Sequence, residues 1–280
     1  MAEHYLGLPG GLTACFRTAC AVGPEERLQF GAYVPGLVFL DHAPDRVDIT
    51  VDHAFSDSPR LEDNGRHVTL WAPKSEKLPA DIYHLLYGIE RRALLMRGFY
   101  SVHAACVGTG GDYRLIVGHS GVGKTTVTHN LVEKHNMKLF SGNKTVIRFD
   151  DDGSIKAVAG IRTMTALDSD LNRYAYEMAP EKYAAQAEVD IKSIALVRIN
   201  DGVAETQRLG PLSALHSLYP YFMDAVNADV IVNGKDIFDG AAQGGAKAHL
   251  TERLGATLRQ IPVSKYAGTV PFLERKLCQP

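Results

Sequence analysis

The 280-residue chain has little cysteine and arranges none of it for metal or disulfide chemistry. Cys15, Cys20, Cys106 and Cys278 form no C-x-x-C pair and no ligand spacing with a nearby histidine. At this density a disulfide framework is not expected, which points to a reducing compartment. Neither sign of charge dominates: 30 Lys+Arg against 32 Asp+Glu leave a formal net charge of -2. A basic face of the kind a nucleic-acid partner needs is therefore not expected. No apolar run approaches the length of a membrane span. The start, MAEHYLGLPGGLTACF, lacks the basic segment and apolar run of a secretory signal. Repeats and low-complexity tracts are absent as well. The expectation is a cytoplasmic globular protein with no nucleic-acid and no membrane partner. Its 45% hydrophobic content can supply the core of one large domain or two modest ones.

The hydrophobic patterning changes part-way along the chain. Residues 11–75 read as short strands between Gly/Pro/Asp/Asn turns: LTACFRTACAV, LQFGAYV, GLVFLD, RVDITVDHAF and HVTLWAP. Val47, Ile49 and Val51 alternate with polar residues, the period of a half-buried strand. In Leu78–Gly98, Ile82, Leu85, Leu86, Ile89 and Leu94 recur at helical spacing, and Gly98 suits a helix stop. This predicts a β-rich N-terminal region, 1–98, ending in a linking helix. From Phe99 strands alternate with helices: FYSVHAACVG and YRLIVG as strands, Lys124–Asn136 as a helix, and MKLFSGN as a strand. KTVIRFDDDGSIKAV reads as a hairpin and APEKYAAQAEV as a short helix. IKSIALVRINDGVAETQRL reads as a second hairpin with Asn-Asp-Gly at its tip. PLSALHSLYPYFMDAV and GGAKAHLTERLGATLRQ read as helices, and IPVSKYAG as a closing strand. Region 99–280 is thus predicted to be α/β with a mixed sheet.

The strongest chemical signal is YRLIVGHSGVGKTT. Gly118, Gly123, Lys124 and Thr125 fill the pattern G-x-x-x-x-G-K-[ST] between a predicted strand and a predicted helix. Each residue type has a physical reason to be there. Glycines permit the backbone dihedrals and close approach that turn successive N–H groups inward as an anion-binding nest. The helix that follows adds its positive end. Lys124 supplies a point charge for β and γ phosphates, and the Thr125 hydroxyl a ligand for Mg²⁺. Ser120, Gly121, Val122 and Thr126 complete the predicted nucleotide-binding set. ATP is the expected donor, with GTP equally compatible, because no base-reading motif is evident.

The longer segment SVHAACVGTGGDYRLIVGHSGVGKTT resembles the HPr kinase/phosphorylase family, whose P-loop fold is distantly related to that of phosphoenolpyruvate carboxykinase. The resemblance covers residues 99–150 well and fades toward IPVSKYAG. It is carried by the His103-Ala104 pair on the strand before the loop, and by Ser120 and Gly121 within the loop. It implies a mixed-sheet kinase domain that transfers a phosphoryl group from a nucleotide to a hydroxyl, in a chain that commonly assembles into homo-oligomers. It also implies two aspartates at the end of the strand after the loop helix, one of them a base. Here that strand reads MKLFSGN. With a one-residue insertion, Gly142 and Asn143 stand at the aspartate positions, and neither side chain is a base.

Three readings follow from that substitution. Another group, with His103 as the leading candidate, supplies the base. Alternatively, a loose transition state needs no strong base. Or catalysis is lost and nucleotide binding remains. Asp150 in RFDDDG is a candidate metal ligand that competes with a plain hairpin turn. Arg162 is a candidate for neutralising developing charge, competing with a solvated arginine. Lys144 either meets an anionic acceptor or flanks a strand. Gly240–Lys247 reads as the approach to a helix or as an acceptor-side loop. The expected activity is a kinase acting on a hydroxyl of a small metabolite or modified peptide. The alternatives are a protein-serine kinase and a catalytically silent nucleotide-binding protein.

Overall fold

A computed structural model describes residues 1–167, 173–227, 230–232, 235–238 and 244–279. These residues form a mixed α/β structure with six α-helices and mixed sheets. None of the described helices is long and apolar enough to cross a membrane.

The N-terminal part contains β1 (Ala2–Leu8), β2 (Leu12–Thr18), β3 (Val38–Leu40), β4 (Ile49–Phe55), β5 (Arg60–Asp63) and β6 (His67–Ala72). They form a six-stranded sheet in the order β3-β1-β2-β4-β6-β5. The β2–β4 and β4–β6 pairs are parallel and the others antiparallel. The predicted alternation appears in β4, where Ile49, Val51 and His53 are buried. Val47 lies outside the strand and is exposed. LQFGAYV, predicted as a strand, is instead the end of helix α1 (Pro24–Tyr33). Pro24 occupies the first turn, Glu25 and Glu26 complement the positive helix end, and the Gly23 N–H donates to Glu26 Oε2 at 3.0 Å. These start signals outweigh the aromatic, strand-like composition of the following residues.

Helix α2 (Ala80–Leu95) matches the predicted periodicity and buries Ile82, Leu85, Leu86 and Ile89. Each such side chain removed from water contributes about 2 kcal/mol. One hydrophobic cluster runs from Phe16 and Leu70 in the first sheet through these residues to Leu115, Ile147 and Leu218.

The remaining strands are β7 (Phe99–Val102), β8 (Ala104–Thr109), β9 (Asp112–Val117), β10 (Lys138–Ser141), β11 (Thr145–Phe149), β12 (Ile155–Gly160), β13 (Met164–Leu167), β14 (Arg173–Tyr176), β15 (Val189–Ile199), β16 (Glu205–Leu209), β17 (Val230–Val232), β18 (Lys235–Phe238) and β19 (Val263–Gly268). The helices are α3 (Lys124–His135), α4 (Pro211–Asn227), α5 (Gly244–Thr257) and α6 (Val270–Leu277). A nine-stranded sheet runs β10-β8-β9-β15-β12-β11-β7, with β19 beside β15 and β16 beside β19. β13–β14 and β17–β18 are separate two-stranded antiparallel sheets.

Three local expectations are corrected here. FYSVHAACVG is two strands broken at His103, because β7 pairs with β11 while β8 pairs with β9 and β10. β15 and β16 are not a hairpin: β19 lies between them, parallel to β15 and antiparallel to β16. The β15–β19 pairing joins residues some seventy positions apart, beyond the reach of turn chemistry. APEKYAAQAEV holds only a 3-10 turn over Pro180–Lys182. The chain is then drawn onto the edge of β10, where the Ala184 N–H donates to the Leu139 carbonyl at 2.9 Å. Residues 240–243 of the Gly240–Lys247 stretch lie outside the described residues.

Candidate functional site

The site is built where β9 ends. Its buried apolar residues Leu115, Ile116 and Val117 anchor the strand, and α3 begins at Lys124. The turn between them is conformationally demanding. Gly123 has φ +91°, and a Cβ there would run into the Ile199 side chain on the neighbouring strand. The Ile199 N–H donates to the Val122 carbonyl at 3.1 Å, which ties the loop to β15. At Gly118 a Cβ would lie 2.7 Å from the Val197 carbonyl oxygen. Sequence and geometry therefore agree on a tight glycine-dependent turn whose N–H groups lead into a helix N-terminus.

Lys124 is buried, and its ammonium donates to the Gly118 carbonyl at 2.7 Å and to the His119 carbonyl at 2.9 Å. Burial lowers its pKa to about 8. A cavity of about 730 Å³ opens over the loop, lined by Ser120, Gly121, Gly123, Lys124, Thr125 and Thr126 on one side. His103, Asn143, His129, Thr165, Tyr174 and Tyr176 line the other.

His103 arrives through strand register. Ala104 pairs with Val117, so His103 stands across from Gly118. Asn143 lines the same cavity, and its side chain favours the charged ring. Burial, then the charges of Lys124 and Lys144, push the imidazole pKa down to about 4. It is therefore a neutral imidazole at pH 7. Lys144 is held by the Tyr33 carbonyl at 3.2 Å, with its ammonium 3.3 Å from the Tyr87 ring centroid. Burial takes its pKa to about 8 against the opposing pull of Glu90. Glu90 is fully buried, with neither carboxyl oxygen hydrogen-bonded, and burial holds its pKa well above the usual carboxylate range.

A second cavity of about 190 Å³ adjoins the first at His103 and Ser120. Gly118, His119, Pro220, Tyr221 and Asp224 complete its lining. Pro220 and Asp224 lie one turn apart on α4, and the Tyr221 ring meets the His119 ring at 4.8 Å. Among the described residues lining either cavity, Asp224 is the one carboxylate. Its side chain is exposed, and Arg91 binds its main-chain carbonyl at 2.7 Å.

Most of the residues singled out in the sequence converge here: His103, Lys124, Asn143, Ser120, Gly121, Gly123, Thr125 and Thr126 share the larger cavity, and Gly118 lines the smaller. Val122 shapes the turn from behind. Two do not join them. Asp150 sits in the β11–β12 turn, paired to Arg148 at 2.8 Å, and Arg148 also pairs with Glu188 at the start of β15. The loop contacts Val197 and Ile199, some nine residues farther along β15, a separation of roughly 30 Å. The strand-then-acid pattern at Asp150 thus makes a hairpin turn, remote from Thr125. Arg162 is exposed and faces Tyr183 and a different cavity. Its backbone leaves β12 toward β10 and not toward the loop.

His119, His129, Tyr174, Tyr176, Tyr221 and Asp224 were not singled out in the sequence. Tyr174 and Tyr176 carried a usable signal, two aromatics at strand period in the polar run NRYAYE. For magnesium, no group of three His, Cys, Asp or Glu gathers among the described residues. The donor set fits an ion that keeps its waters and is held mainly by phosphate oxygens, with the Thr125 hydroxyl as protein ligand.

Neither a scan against protein-family models nor a search of curated proteins finds a match for the chain.

Proposed function

We propose that the chain is a nucleotide-dependent kinase of HPr-kinase type that phosphorylates a hydroxyl on a small metabolite or modified peptide, with ATP as donor and Mg²⁺ as metal. The observation that carries this reading is the glycine turn with a buried Lys124, opening from a strand–helix junction into a cavity large enough for a nucleotide. The loop N–H groups and the start of α3 hold the phosphates, Lys124 binds the β and γ groups, and Thr125 meets the magnesium. When bound, that ion neutralises charge on the phosphate oxygens. The acceptor enters through the smaller cavity. Its hydroxyl oxygen attacks the γ-phosphorus, the bond to the β-phosphate oxygen breaks, and the hydroxyl proton passes to Asp224. His103 is too weakly basic at a pKa of about 4 to be the proton acceptor of choice, and it orients the γ-phosphate together with Asn143.

The missing aspartate pair fits this reading. A Cβ at Gly142 would collide with the Met164 sulfur, so an aspartate there would require Met164 to move. β10 carries a register irregularity between Leu139 and Ser141, matching the one-residue insertion that the resemblance requires. The acid comes from α4 instead.

Incubation with Mg²⁺ and γ-labelled ATP tests the activity. Label should move to an alcohol in a small-molecule or peptide fraction of a cell extract. Label confined to protein serine would favour the protein-kinase alternative, and binding without transfer to any fraction would overturn the kinase reading. A second expectation concerns protons. Lys124, with a pKa of about 8, is about half charged at pH 8. Phosphate anions favour the charged ammonium and raise that value, so binding takes up about half a proton there. Calorimetry at pH 8 in two buffers of different ionisation enthalpy reads that uptake directly. At pH 6 Lys124 is already charged and its contribution vanishes.

A further inference from the structure

The phosphate loop has a direction, and this inference rests on the triphosphate reading. Lys124 and His103 mark the γ end, beside the smaller cavity. The α-phosphate and nucleoside must then leave along the face of α3 that begins with Thr126. One turn on, the same face presents His129, which lines the same cavity. The Tyr176 hydroxyl lies 2.9 Å from His129 Nδ1, which fixes the ring beside the helix. Tyr174 follows at 5.9 Å between ring centroids, tilted by 41°. Two positions apart on β14, both side chains leave the same face of the strand. Tyr174 is 48% exposed, and both rings line the larger cavity.

A sheet of two strands has little stability of its own, and this one does not bury the Tyr174 ring. What it does is set two π-faces into the cavity beside His129, one turn along α3 from the loop. We infer that Tyr174 and Tyr176 form the platform on which the nucleobase of the bound nucleoside triphosphate stacks, with His129 as the post that holds Tyr176 in place. Stacking reads the face of a base and not its edge, so the platform serves adenine and guanine alike. This agrees with the lack of a base-reading motif in the sequence.

The test compares two ligands that differ only in the nucleoside: MgATP and magnesium tripolyphosphate, titrated calorimetrically into the full chain. Tyr174→Ala should weaken MgATP by about 5- to 100-fold and leave tripolyphosphate within about twofold. Tyr174→Phe keeps the π-face and should hold both ligands within about twofold of the wild type. An equal loss for both ligands, or no loss for either, would overturn the platform while leaving the phosphate loop intact. Unchanged MgATP binding with a raised KM for the acceptor would assign the rings to the acceptor instead. Failure of the wild type to bind either ligand would remove the triphosphate reading itself, and the platform with it.

Discussion

Lys124→Ala is expected to lower phosphoryl transfer by about 10³-fold or more, the scale on which removal of a single preorganised charge from a reacting centre is felt. The ammonium is already desolvated and aimed, held by the Gly118 and His119 carbonyls at the start of α3. In the proposed reaction, this preplaced charge would meet the γ-phosphate as charge develops. Single-turnover transfer of labelled phosphate measures the loss. A variant retaining more than about a tenth of the wild-type rate would remove Lys124 from the γ-phosphate. A second readout needs no activity at all. The Lys124 charge is, after burial, the largest cause of the low His103 pKa. Removing it should raise that value above about 4. It should remain below 6.5, because burial still disfavours the imidazolium. Titration by NMR of the His103 ring follows this shift. An unchanged value would mean that the two side chains do not share one electrostatic site.

The strand, glycine turn and helix of the loop were legible because the pattern that sets them is local. The glycines, the lysine, the two threonines, the strand before them and the helix after them occupy one continuous stretch, Tyr113–His135, and each local preference agrees with the next. His103 was legible for a related reason: a short β8–β9 hairpin carries it back to the loop. Arg162 and Asp150 line neither cavity, and the same logic explains it. Each sits in a fitting local pattern, but the direction of β11 and β12 carries both away from the loop, and that direction is set by long-range pairing with β7 and β15. The β19 strand between β15 and β16 was invisible for the same reason. Asp224 belongs here too. It lies about a hundred residues beyond the loop, on a helix whose apolar face announces only packing. Nothing in YPYFMDAV distinguishes a catalytic acid from a solvated one.

Asp224→Asn should lower kcat by about 10²- to 10⁴-fold, the range for loss of a positioned base, while MgATP affinity stays within about threefold. Several features make the substitution a clean one. Arg91 docks on the main-chain carbonyl of Asp224, so an asparagine leaves the packing of α4 undisturbed. The side chain is exposed, so the fold loses no buried contact. The position lies on the His119–Tyr221 side of the loop, away from the cavity that would hold the rest of the nucleotide. A deficit confined to kcat separates proton removal from phosphate binding, which Lys124→Ala disturbs directly. Asp224→Glu, which restores a carboxylate one methylene farther out, should recover part of the rate. If Asp224→Asn turns over at the wild-type rate, the hydroxyl needs no base from α4, and positioning by the loop, His103 and Asn143 carries the reaction through a loose transition state. If MgATP binding falls in step with kcat, Asp224 acts on the metal–phosphate complex and not on the acceptor. The two outcomes are distinguishable because the two cavities meet at His103 and Ser120 and share the glycine loop, yet beyond it draw on different elements: α3 and β14 for the cavity proposed to take the nucleotide, α4 for the one proposed to take the acceptor.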